Sequence, residues 1–547
     1  MKKYLTRIVA FFSYMTMLFT LNACSNDMGD NPAINPEPGS EQLSDVAVLF
    51  YGHGGGNLDV NMIGNIREFY YAESSVYNNV AVAVEYKFSS KNDIPHNEVA
   101  EWEEEFESVD DVIIPDTTTT YDSDYIKLMN PKGYSTFRFV VDPSKTLHQQ
   151  AAGSYLPGEN CDITSPDSLT NFLNWAAKAC PAKSYVLVFS DHGGGYSPDG
   201  ELDNEASTRG IIYDHGHESK HFTAKSLASA IKASDIRPKI IYFDACLMNM
   251  LEYQFELKDL ADYIVASTYR VPSLGGAYDA LLECLSGASE NVEHALEKYI
   301  EYAAKRWDST DESTPSYEDL TVTATANLDK LGQTMREFTD RLCDTYKNGT
   351  AEQRQKIDSV TKNAVKVDNN NPYYDVDKYI TTIMRTLPEV FGEDFSNQMK
   401  TAFSACVVGR YTSKYLLNHD YQVNYSVLLA SKGTYHYTWW ESKPTGSGKE
   451  LTFVNYLQAV RYYHSDGTTT TYKVKGNYDG QHASDYTLEF HDKSTWGGTL
   501  ESTYCQMAFD RAVGWSRWLL LNEQEPAIWS RSAFSIGLPD DNPDSSI

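Results

Sequence analysis

Two short clusters in this 547-residue sequence carry the residue types of a nucleophile and its base. Asp191-His192-Gly193-Gly194-Gly195 follows an apolar run at residues 184–190, and Asp244-Ala245-Cys246 follows another at 239–243. A thiol with an ordinary pKa of about 8.5 is only slightly ionised near neutral pH. A Cys that attacks a carbonyl therefore needs a base within reach, and His is the residue type that serves. The glycines after His192 leave its backbone open to an approaching carbonyl. The N–H groups of Gly193 and Cys246 are then candidate donors to the oxyanion of a tetrahedral intermediate. The chemistry so encoded is attack of a thiolate on a peptide carbonyl.

The elements that must position these groups are legible from apolar patterning. Short β-branched and aromatic runs predict strands at 45–51, 80–86, 136–141, 184–190 and 239–243. Helical spacing of apolar residues predicts helices near 62–70, 167–179 and 223–233, the second opening on Pro166 and Asp167. Strands alternating with helices predict an α/β domain with a largely parallel sheet and flanking helices. Ligands of such sheets sit at the carboxyl ends of the strands, where both clusters fall.

Beyond about residue 316 the rhythm changes. Helices are predicted at 328–346 and 376–386, and strands at 423–430, 472–475 and 486–490. This α+β C-terminal region, 316–547, carries no catalytic constellation of its own, and no internal repeat is visible.

The ends and the composition bound the setting. Lys2, Lys3 and Arg7 precede an apolar run at residues 8–23 that is too short for a membrane span and fits a secretory signal. The run ends in Leu21-Asn22-Ala23-Cys24, which resembles a bacterial lipoprotein box, so residues 1–24 are read as a lipoprotein signal with Cys24 lipidated. Residues 25–44, rich in Pro and Gly, read as a flexible tether. The expected setting is an exported lipoprotein on the outer membrane or cell surface. A net charge of -30 argues against nucleic acid, whose phosphates call for Lys and Arg. The acidic run at 101–111 reads as a solvated face. Eight Cys are too few for a disulfide scaffold, and with Cys24 lipidated an odd number remains, leaving at least one thiol unpaired within the chain.

The stretches SYVLVFSDHGGGY and IIYFDACLMNMLEYQFEL resemble the two catalytic motifs of the clostripain family, cysteine peptidases with a caspase-like fold. VAVLFYGHGGGNLD and CDITSPDSLTNFLNWAAKACPAKSY precede them and ADYIVASTYRVPSLGGAYDALL follows, in the family's order. The resemblance covers roughly residues 45–282, assigns a peptidase domain to 45–315, and implies His192 and Cys246 as the catalytic dyad. His53, which also follows a strand and precedes three glycines, lies where family members have a loop without a catalytic role. The resemblance further implies cleavage of protein or peptide substrates after Arg or Lys, with acidic groups in the pocket. Asp244 matches one such position. At the second, where the family has Pro-Gly-Asp-Gly-Trp, this chain reads Pro272-Ser273-Leu274-Gly275-Gly276, with Leu274 in place of the acid. Relatives are often cut between the two motifs, which makes Arg209 a candidate processing site. Some relatives need calcium, and no EF-hand spacing names a ligand for it here. No cofactor is required for the chemistry.

The group Asp214, His215, His217 and His221 has metal-ligand residue types without a zinc spacing, and reads as a polar loop, so no metal site is assigned. Two other functions remain. One is an inactive binding or scaffolding lipoprotein on the same fold, suggested by the altered Leu274 loop. The other is glycan binding through aromatics such as Trp439, Trp440, Trp515 and Trp518.

Overall fold

The computed structural model describes residues 43–54, 58–88, 134–151, 153–156, 160–196, 210–217, 220–272, 275–287, 291–307, 319–367, 373–418, 425–429 and 504–523, together with the backbone of short strand segments between residues 111 and 537. Cys24, the tether up to residue 42, the acidic run at 101–110, Arg209, Leu274, Trp439 and Trp440 lie outside the described residues.

The chain opens with β1 (Ser44–His53), α1 (Asp59–Glu68), β2 (Val80–Phe88) and β3 (Ser135–Val140). Next come α2 (Pro166–Ala179), β4 (Ala182–Ser190), a small hairpin of β5 (Ile211–Asp214) and β6 (Lys220–Phe222), α3 (Ala224–Ala233), β7 (Ile240–Asp244), α4 (Leu251–Leu257) and β8 (Tyr263–Ala266). Two helices, α5 (Tyr278–Ser286) and α6 (Val292–Trp307), precede β9 (Asp319–Ala324) and α7 (Leu328–Asn348). β10 (Tyr373–Asp375), α8 (Val376–Thr386), α9 (Pro388–Cys406), β11 (Val407–Thr412) and β12 (Ser426–Leu428) follow.

Eight of these strands make one sheet in the order β11-β9-β8-β7-β4-β1-β2-β3. The five from β8 to β2 are parallel, and β3 and β9 pair antiparallel at the two flanks. The α/β class and the predominantly parallel sheet are as the sequence predicts. The period-2 pattern of β1 shows why the sheet is covered on both faces. Ala47, Leu49 and Tyr51 enter one core, while Val46, Val48 and Phe50 enter the other. Complete burial of one such large apolar side chain is worth about 1.5–3 kcal/mol.

The helices form where local signals predict them. Pro166 sits at the first turn of α2. Thr223 caps α3 by accepting from the Ser226 N–H while the Ser226 hydroxyl returns the bond, satisfying two donors a helix start would leave unpaired.

Residue 316 does not divide the sheet from a second body. β9 and β11 lie beyond it and complete the sheet next to β8. α7, α8 and α9 add Leu331, Phe338, Ile380 and Phe403 to the same core that holds Leu187 of β4 and Phe243 of β7. Trp515 and Trp518 are fully buried in that core. The sequence offered them as sugar platforms; with no face exposed they are packing residues.

Candidate active site

The two candidate clusters meet because their strands are neighbours in register. Ser190 at the end of β4 pairs with Asp244 at the end of β7, so His192 and Cys246 each stand two residues beyond a matched pair. Adjacent strands run about 4.8 Å apart, which brings the two loops side by side at the carboxyl edge of the sheet. Gly193 makes the approach closest. A Cβ on it would fall 2.2 Å from the Cys246 carbonyl oxygen and 2.9 Å from the Cys246 nitrogen. Only glycine permits that proximity, and it puts the two candidate oxyanion donors at one spot.

Each loop is fixed by further bonds. One oxygen of buried Asp191 accepts the His192 N–H at 2.6 Å, and the other accepts the Tyr213 N–H of β5 at 2.8 Å. Gly194 donates to the Gly210 carbonyl at 2.9 Å, and Gly193 bridges to Ile211. On the other side, Leu247 takes a φ of 63°. A left-handed leucine costs about 1–3 kcal/mol and persists only where its surroundings hold it. The Leu247 N–H donates to Tyr269 O at 2.8 Å and the Asn249 N–H to Ser267 O at 2.9 Å, which supplies that hold. The strained turn directly follows Cys246.

The Cys246 thiol is free and partly exposed. Its Sγ accepts from the Val271 N–H at 3.3 Å. Burial pushes the thiol up from its ordinary pKa, with the Val271 bond and the Arg270 charge acting in the opposite sense. Burial also lowers His192, and the charge of nearby His215 adds to that. Both shifts favour the neutral thiol and the neutral imidazole over a preformed ion pair.

Asp244 lies beneath this edge, 3% exposed. Its Oδ2 accepts from the Tyr278 hydroxyl at 2.5 Å, the Gly276 N–H at 3.0 Å and the Ser190 hydroxyl at 3.2 Å. Its Oδ1 is buried with no hydrogen-bond partner. Gly275, with φ 64°, passes so close that a Cβ would lie 2.2 Å from Asn65 Nδ2 and 2.7 Å from Asp244 Oδ2. Asp244 therefore serves the turn with one oxygen and leaves the other uncommitted.

His53 is fully buried and is no second base. Its Nδ1 lies 2.7 Å from the Lys87 carbonyl, and its Nε2 faces the His215 N–H at 3.4 Å. Burial lowers its pKa to about 4, so it stays neutral and ties β1 to the turn after β5. Asp214 is buried against Lys87, whose Nζ is 2.7 Å from Asp214 Oδ2 and 2.7 Å from Cys161 O. Burial alone would raise Asp214, but the His217 hydrogen bond and the Lys87 charge hold it well below the usual carboxylate range. Asp162, Asp214 and His217 bring ligand atoms within 4.8 Å of one another, the one such grouping among the described residues. The Lys87 ammonium already sits against both Asp214 oxygens, and a cation there would meet that fixed charge. His221 stands apart, its ring on Tyr213.

Asp191, Val271, Lys87 and Asp214 support the site without any motif that marks them as such. Asp191, adjacent to His192 and directly after a buried strand, was the one with a visible signal.

The family description that matches this chain is the clostripain family, over residues 141–478. Clostripain of Hathewaya histolytica is 28% identical over 145 residues, 25% of this chain and 27% of clostripain. The match thus spans about a quarter of that curated relative. Similar solved structures include a secreted C11 cysteine protease from Bacteroides thetaiotaomicron bound to an irreversible peptide inhibitor, 16% identical, TM-score 0.49, covering 86% of this chain and 99% of that one. Another is an inactive zymogen C11 protease from Parabacteroides distasonis, 14% identical, TM-score 0.44, covering 87% and 99%.

Proposed function

This chain belongs to the clostripain family of cysteine peptidases, and from that premise we propose that it is an endopeptidase using Cys246 as nucleophile and His192 as general base. The observation that carries the reading is the in-register pairing of Ser190 with Asp244, with Gly193 pressed against the Cys246 backbone. His192 takes the thiol proton as Sγ attacks the scissile carbonyl, and returns it to the leaving amine. The Gly193 and Cys246 N–H groups hold the oxyanion. Water then releases the acyl group, with His192 again as base.

The proposed preference is for Arg or Lys before the cleaved bond. Asp244 Oδ1, buried and unpartnered, supports it, since a guanidinium or ammonium would complete its bonding. Leu274 in place of a second acid weakens that preference relative to a two-acid pocket. A peptide panel varied at the residue before the bond tests both parts, under reducing conditions with and without calcium. Wild type is expected to favour Arg and Lys, and Asp244→Asn to lower the basic-to-apolar ratio of kcat/KM by about tenfold. Cleavage after apolar residues alone would discard the basic pocket and keep the dyad. No cleavage of any peptide would leave a binding or scaffolding role on this fold.

Export and anchoring through a lipidated Cys24 complete the proposal, supported by the signal-like residues 1–24. The full chain is expected to partition with membranes when expressed in a Gram-negative host, and Cys24→Ser to release it. Equal membrane partition of the two would remove the anchor.

A further inference from the structure

The segment beyond residue 316, which carries no catalytic motif, reaches both catalytic loops from behind. Asp319, the first residue of β9, is fully buried. Its Oδ1 accepts from the Ser267 hydroxyl at 2.9 Å and from the N–H groups of Thr268 and Tyr269 at 3.0 Å each. That turn faces the nucleophile. Its Tyr269 carbonyl accepts the N–H of strained Leu247, and two residues on, the Val271 N–H meets Cys246 Sγ. Three donors converging on one buried oxygen allow the turn a single arrangement, and that arrangement sets where the thiol lies.

Tyr373 of β10 does the matching work on the other loop. Its hydroxyl is 2.6 Å from the Gly194 carbonyl and 2.9 Å from the Tyr196 carbonyl, sharing one proton between them. Its ring fills the space a side chain at Gly195 would need, 2.7 Å from the position of a Cβ, and Gly195 has a φ of 69°. With the Gly193 and Gly194 backbones bonded to Ile211 and Gly210 on one side and Tyr373 on the other, the His192–Tyr196 stretch is clamped from two directions.

We propose that Asp319 and Tyr373 are positioning residues of the peptidase site, Asp319 for the Cys246 thiol and Tyr373 for the His192 loop with its Gly193 oxyanion donor. The inference rests on the dyad reading. Neither side chain touches the reacting atoms; each fixes the backbone that carries them. The part of the chain after residue 316 is then a component of the catalytic apparatus, not an appended module.

Two conservative variants of the full chain test this. Tyr373→Phe keeps the ring and removes the hydroxyl; Asp319→Asn keeps an acceptor oxygen and removes the charge. Peptide hydrolysis gives kcat and KM. Alkylation of Cys246 by iodoacetamide, followed by peptide mapping, reports the thiol without any substrate. Tyr373→Phe is expected to lose about tenfold in kcat with KM within about twofold, and to alkylate at the wild-type rate. Asp319→Asn is expected to lose about tenfold in both kcat and alkylation rate, while its urea midpoint stays near wild type. Unchanged kcat in both variants, or a fall that merely tracks lost folded protein, would overturn the assignment. If wild type cleaves no peptide, the dyad reading falls on its own account. Alkylation still decides the Asp319 role, where equal rates in wild type and Asp319→Asn would end it.

Discussion

Replacing Cys246 with alanine is expected to lower kcat/KM for peptide hydrolysis at least about 1,000-fold, to the level of the background reaction. Of the five other free cysteines described, three are buried and two, Cys284 and Cys505, are partly exposed. Cys180, Cys343 and Cys406 are buried, with thiols that burial pushes up to about 12, 11 and 12. His192→Ala should cost about 100- to 10,000-fold, the usual worth of a positioned general base. Residues that act as a unit are not additive, so the double variant should be no slower than Cys246→Ala alone. The pH profile carries the sign of the electrostatics. His192 must be neutral to accept the thiol proton, and its folded pKa lies below 6.5 because burial and the His215 charge disfavour imidazolium. Neutral imidazole is the form above the pKa, so a lowered pKa moves the acid limb of kcat/KM down. Activity should persist at a pH where an exposed histidine would already be protonated. An acid limb centred above 6.5 would mean that His192 meets a stabilising negative charge in the working enzyme.

The second large effect is on stability. Lys87 and Asp214 are both fully buried and pair through two charge-assisted bonds, joining β2 to the end of β5. Removing one partner leaves the other charge in a medium that cannot solvate it. Lys87→Met should therefore destabilise the fold by about 3–5 kcal/mol, read as a lower urea midpoint. Converting Asp214 to Asn in the same chain should recover much of that loss, because the stranded charge is then gone. Activity should suffer as well, since the turn after β5 carries His215 next to His192. A loss below about 1 kcal/mol in Lys87→Met would show that water reaches the pair and that the ion pair is not a buried strut.

How much of this was legible in the sequence differs by element. The parallel strands β1, β2, β4 and β7 announced themselves as continuous apolar runs, because a strand covered on both faces has no polar side to show. β9 and β11 did not. Asp319–Ala324 alternates with threonines, and Val407–Thr412 is interrupted by Gly409 and Arg410, so neither reads as a buried strand. Their place in the sheet depends on partners far away in the chain, which local patterning cannot supply. That is why residue 316 looked like a boundary.

The site divides the same way. His192, Gly193 and Cys246 were legible because strand ends and glycines mark them. Val271 was not, since it acts through a backbone N–H that any residue type but proline would provide. Lys87 in a strand suggests a solvated edge; it is buried only because Asp214 comes from more than 100 residues downstream to neutralise it. His53 shares the His-Gly-Gly-Gly pattern with His192, and only the fold shows that His53 is a buried tie. Asp319 and Tyr373 carry no motif at all, because each acts on a loop brought to it by the sheet.

The most direct test of the central claim is covalent trapping at the thiol. Peptidyl chloromethyl ketones ending in Arg, Lys or Leu, incubated with the full chain under mild reducing conditions, are followed by peptide mapping in a mass spectrometer. The expected result is a single adduct on Cys246, formed in step with loss of peptidase activity and slowed by competing peptide substrate. Adducts spread over several cysteines, or an adduct elsewhere that abolishes activity while Cys246 stays free, would contradict the assignment of Cys246 as the nucleophile.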